Sequence, residues 1–137
     1  MAGQLTLADA QRVLNAALDK AVQIGQPMNV AVVDDGGHLV AFARQDDAIL
    51  ASIDIAIGKA RTAVLMKMPT AQLGEAAAPG SPLYGIEVTN GGLVIFGGGI
   101  PLKNSDDRVI GAIGVSAGTV EQDTEVAEAG VAALGKG

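Results

Sequence analysis

One histidine, His38, and no cysteine limit the chemistry open to this chain. Thiol catalysis, disulfides and thiolate metal centres are excluded, and so is any metal site built on two or three histidines. His38 can act as a proton shuttle. It also stands beside the turn residues Asp35-Gly36-Gly37, where an exposed imidazole would only solvate a hairpin. Lys59 is the second candidate, because a lone ammonium in an Ala- and Ile-rich helical stretch must find an anion or water. It can hold an acidic group of a ligand, stabilise an oxyanion, or pair internally with a carboxylate such as Asp46 or Glu87. Arg44 is followed closely by Asp46 and Asp47. Its planar fork suits a carboxylate or phosphate on a ligand, unless one of those acids claims it.

Tyr84 is the only phenol, placed in a Pro- and Gly-rich loop where it can cap a pocket or anchor the loop. Phe96 precedes Gly97-Gly98-Gly99, whose backbone can approach a ligand or a neighbouring chain closely. That glycine run is not a nucleotide fingerprint, since Ile100-Pro101 follows it and no helix opens there. Ser116 has no Gly-x-Ser-x-Gly setting, which leaves nucleophilic hydrolysis without a motif.

The elements that position these residues follow from patterning. Leu7, Ala10, Val13, Leu14, Ala17, Leu18 and Ala21 recur at helical spacing, with Thr6 and Asp9 as a capping box and Gly25 as the stop. Asn29–Asp34 and His38–Arg44 read as two strands of a hairpin. A second helix spans Ala48–Met66, and Thr70 caps a short turn through Glu75. A short strand is expected over Leu93–Phe96, then two more over Ile100–Lys103 and Arg108–Val115. Thr119 caps the last helix, with Gln122 completing a capping box. Val30, Val32, Leu39, Ala41, Leu93, Ile110 and Ile113 are expected to be buried, and Gly135-Lys136-Gly137 to fray. The fold expected is a single α/β domain over residues 1–137, an α-β-α sandwich around a mainly antiparallel sheet of about five strands.

Bulk composition trims the list of partners. A net charge of −6, with scattered Lys and Arg and only three aromatic side chains, argues against nucleic acid. No apolar run is long enough to cross a bilayer, and Met1-Ala2-Gly3-Gln4 begins no signal peptide, so a cytoplasmic, non-membrane protein is expected.

Several motifs, in order, resemble the GlcG/HbpS-like family. They are Val33-Asp34-Asp35-Gly36-Gly37-His38-Leu39 with Arg44-Gln45-Asp46-Asp47-Ala48, Ser52 with Lys59-Ala60-Arg61-Thr62-Ala63, and Pro79 to Ile86. Gly97 to Leu102, Ile110 to Ser116 and Gln122-Asp123 complete the set. The resemblance implies a profilin-like sandwich, assembly into homo-oligomers from dimers to octamers, and in some members haem binding. A similar domain ends the PduO-type corrinoid adenosyltransferases. Asp47 and Ala117 stand where the family usually has glycine. The first helix carries none of the histidine that some haem-binding relatives use, so only His38 could ligate haem through histidine.

The leading reading is a small-molecule-binding homo-oligomer, with haem or another tetrapyrrole as the candidate ligand. Its pocket would use Arg44, Asp46, Lys59, Tyr84, Phe96, Gly98 and Gly99, and no other metal site is expected. The alternatives are a lyase- or isomerase-type enzyme working by proton transfer through His38, Asp46 or Glu87 with Lys59 beside them, or a non-catalytic accessory subunit.

Overall fold

The computed structural model describes residues 4–135. The expectations for Met1 to Gly3 and for fraying at Lys136 and Gly137 lie outside the described residues.

Both long terminal helices start as their caps dictate. In α1 (Leu7–Ile24) Thr6 Oγ1 accepts the Asp9 N–H and Asp9 Oδ2 accepts the Thr6 N–H, and Gly25 at φ 73° ends the helix. In α4 (Val120–Leu134) Thr119 and Gln122 make the same reciprocal pair. Between them come β1 (Asn29–Asp34), β2 (Leu39–Arg44), α2 (Ala51–Met66), α3 (Thr70–Ala76), a 3₁₀ turn at Ile86–Val88, β3 (Gly99–Lys103) and β4 (Val109–Ser116).

The sheet has four strands in the order β2-β1-β4-β3, all neighbours antiparallel. The expected strand over Leu93–Phe96 is absent. Leu93 is buried, but Val94 donates its N–H to Thr62 Oγ1 on α2, so this segment bonds a helix rather than a strand. Thr70 likewise does not cap α3; Pro69 holds that position. The Thr70 hydroxyl instead accepts the Gly99 N–H at 2.9 Å, tying α3 to the start of β3.

Two cores sandwich the sheet. On one side Val30, Val32, Ile113 and Val115 meet Ala10, Val13, Ala17 and Val126 from α1 and α4. On the other, Ala31, Val33 and Ala112 meet Ala56, Ala60 and Ala63 of α2. The alanines Ala56, Ala60 and Ala63 let α2 lie almost on the backbone of β4, where a Cβ at Gly114 would strike the Ala56 carbonyl. Dense packing of small side chains compensates for the scarcity of aromatics. Of the residues expected to be buried, Leu39 is half exposed and Ala41 half-buried. Both sit on β2, an edge strand, where one neighbour is missing.

The edge formed by β3 is chemically blunted. The N–H of Gly99 is taken by Thr70, and Pro101 has none to offer. Among the described residues no helix is long and apolar enough to cross a membrane.

Candidate functional site

Lys59 sits in the middle of α2, on the face turned toward the sheet, and is completely buried. Its three ammonium protons need partners there. Nζ donates to the Val115 carbonyl at 2.8 Å and to Asp123 Oδ2 at 2.8 Å, and it lies 5.0 Å from the centre of the Phe96 ring. The other oxygen of Asp123 accepts the Gly118 N–H at 2.9 Å. Burial pulls the Lys59 ammonium below its usual pKa and pushes the Asp123 carboxyl above its own, while their mutual hydrogen bond and attraction oppose both shifts. Gly98, at φ 127°, passes so close that a Cβ would lie 2.6 Å from Lys59 Nζ and 2.6 Å from the Val115 carbonyl oxygen. The structure therefore gathers Lys59, Phe96, Gly98 and Gly99 at one point, as a sealed node rather than an open pocket. The internal partner of Lys59 is Asp123, neither Asp46 nor Glu87.

Arg44 and Asp46 lie elsewhere. Both are exposed and line a cleft of about 500 Å³ with Ala21, Gln26 and Pro27 at the end of α1. Gln45 between them is fixed: it accepts the Met28 N–H and donates to the Leu18 carbonyl. No ion pair joins Arg44 to Asp46 or Asp47 among the described residues. Next to the node, Gly98 and Gly99 form part of a mainly apolar hollow of about 390 Å³ with Ala71, Thr124 and Val131.

Tyr84 and Glu87 belong to the segment between α3 and β3. Tyr84 is exposed, and Glu87 Oε1 is a buried oxygen with no hydrogen-bond partner among the described residues. Arg61 pins this segment through the Asn90 carbonyl. His38 is exposed at the tip of the β1–β2 hairpin, its Nδ1 3.3 Å from Asp34 Oδ1. His38 and Asp46 thus flank opposite ends of β2, a strand of six residues spanning roughly 20 Å. The acid–base candidates do not converge.

Asp123 is the residue that sequence reasoning passed over as a partner. It sits in the first turn of α4, where an acid is ordinarily read as a helix-terminus charge. The available signal was its place on the buried stripe with Val126, Ala127 and Gly130, at helical spacing.

A family model described as haem degrading protein HbpS-like matches residues 5–132. The chain belongs to this HbpS-like family. It is 45% identical over 125 residues, 90% of this chain and 87% of the relative, to a 15.0 kDa protein of the dhaT-dhaS intergenic region in Citrobacter freundii. It is 40% identical, over 97% of its length, to the corrinoid adenosyltransferase PduO of Salmonella typhimurium, but spans only 40% of that protein. Among solved structures, the Klebsiella pneumoniae protein ORFY superimposes with a TM-score of 0.94 at 39% identity, covering 98% of this chain and 93% of that one. A PduOC:heme complex superimposes with a TM-score of 0.90 at 40% identity, covering 95% and 94%. The two positions where this HbpS-like chain departs from the usual glycine now have a conformation: Asp47 has φ 72° and Ala117 has φ 132°. Both are in the region that favours glycine.

Proposed function

We propose that this protein is a cytoplasmic, homo-oligomeric binder of a small planar ligand, haem or a related tetrapyrrole. The observation that carries the reading is the likeness, at 40% identity over 95% of the chain, to a domain whose structure is that of a heme complex. The residues present fit such a ligand in two respects. An imidazole stands exposed on His38, with Nδ1 directed to a carboxylate. Leu83, Tyr84, Val88 and Phe96 also expose apolar side chains, the kind of surface a flat hydrophobic body covers. Bound haem would supply a redox-active iron; the chain itself would bind and orient it. Lys59 supports the Phe96–Gly99 segment from beneath, and is sealed from any ligand by that segment.

Self-association is favoured by Val22, Ile49 and Leu50, each more than half exposed on a chain of this size. A net charge of −6 supports a ligand other than nucleic acid. Titration with hemin, followed by visible absorption, tests the binding. A shifted Soret band saturating at a fixed stoichiometry is expected, and a spectrum that remains that of free hemin rejects it. Light scattering at micromolar concentration tests the assembly; a mass near 13.7 kDa rejects it.

A further inference from the structure

The core claims one stripe of α4, made by Asp123, Val126, Ala127 and Gly130. A second stripe at the same helical spacing, Thr124, Glu128, Val131 and Ala132, lines the hollow of about 390 Å³ beside Gly98 and Gly99. Pro69, Ala71 and Ile100 complete its walls, so the lining is apolar except where Thr124 and Glu128 stand one turn apart. Glu128 is the one charged side chain in that lining. It is exposed and has no ion pair among the described residues. The Thr124 hydroxyl likewise has no hydrogen-bond partner among them.

The floor is fixed before anything binds. Gly98 gives its carbonyl to the Val115 N–H at 2.9 Å and lies against Lys59, while Gly99 donates its N–H to Thr70. Gly97 backs directly onto the Thr124 side chain, where a Cβ would meet Oγ1 at 2.8 Å. A preformed apolar concavity with a few convergent polar groups is the usual shape of a small-ligand site.

The occupant is limited in size and in charge. No peptide can extend the sheet here, because the Gly99 N–H is already used and Pro101 has none. A lone carboxylate at the rim of an apolar surface, in a chain of net charge −6, asks for a cation. We propose that this hollow is a binding site for a small aliphatic primary ammonium. Its chain lies on Ile100 and Val131, and its head is held by the Glu128 carboxylate and Thr124 Oγ1. The site is separate from the haem reading and does not depend on it.

Titrations of the full chain with hexylammonium, hexanol and hexanoate, followed by heteronuclear NMR, test it. Hexylammonium should give saturable shifts centred on Ala71, Gly98, Gly99 and Val131, with a dissociation constant on the order of 1 mM for so few atoms. Hexanol should bind about threefold more weakly, and hexanoate, with the wrong charge, more weakly still. Glu128→Gln should lower hexylammonium affinity about threefold and leave hexanol as it was. Its urea melt should not change, because the residue is exposed. High salt should reproduce part of that loss for hexylammonium alone. Ala132→Leu should weaken all three probes by filling the hollow, at an exposed helical position that accepts leucine. Shifts that are absent, or scattered over the surface without saturating, overturn the site. Equal affinities for the three probes, or hexylammonium binding untouched by Glu128→Gln, overturn the ammonium as its ligand.

Discussion

Lys59 Nζ and Asp123 Oδ2 lie 2.8 Å apart with both side chains sealed from water, where α2, β4 and the start of α4 meet. The pair joins segments 64 residues apart and also carries the Gly118 turn. Removing one partner strands a buried charge. Lys59→Met should therefore cost about 3–5 kcal/mol in a urea melt. The double change Lys59→Met with Asp123→Leu should recover part of that loss, because it leaves no buried charge and orphans only the Gly118 N–H and the Val115 carbonyl. A single variant as stable as the parent would show that the pair contributes nothing.

Gly98 is where the chain bends over that pair. A methyl there meets both Lys59 Nζ and the Val115 carbonyl, at a φ that L-residues avoid. Gly98→Ala should lose roughly 2–4 kcal/mol, combining backbone strain with overpacking. Thermal melts of the purified variant measure it. A shift too small to detect would mean the segment can move aside freely.

Ala117 presents the opposite case, a side chain already in a glycine conformation at φ 132°. Ala117→Gly should stabilise the fold by about 1 kcal/mol, because relieved strain outweighs the greater freedom of glycine in the unfolded chain. An equal loss of stability would instead show that the strain is absent in solution.

Acid should act through Asp34. Its partial burial raises the pKa, but the N–H groups of His38 and Gly36 and the nearby imidazole outweigh that and hold it below 3.8. A carboxyl depressed in the folded state stabilises it fully above the unfolded value, and the contribution fades as pH falls through the folded value. Urea melts between neutral pH and pH 2 should thus steepen below about pH 4. Asp34→Asn, which keeps the acceptor and cannot titrate, should flatten that limb. An identical slope in both proteins would remove Asp34 from the acid response.

Local signals in the sequence carried much of the architecture. Asp35-Gly36-Gly37 announces its hairpin, and the Thr6 and Thr119 capping boxes form as spaced. What failed depended on tertiary neighbours. Leu93-Val94-Ile95-Phe96 has strand composition, but Thr62 on α2 takes its N–H. Alternation in β2 marks Leu39 and Ala41 as apolar without revealing that the strand is an edge. Lys59 stood out by its surroundings, yet its partner lay beyond any local spacing. The ligand candidates Arg44 and Tyr84 share no pocket with it, because strand ends and loops are brought together by the fold alone.

The unequal margins of the sheet bear on how copies can join. At β3 the outward donors are consumed or missing, through Thr70 at Gly99 and the imino nitrogen of Pro101. Strand addition therefore has one usable side, β2. A dimer made there by two-fold pairing spends both available edges at once, leaving blunted β3 strands at its flanks. Growth by this route would stop at two, which would limit the fibril hazard of a free edge that exposes Leu39. Any larger ring must be built through helix or loop faces.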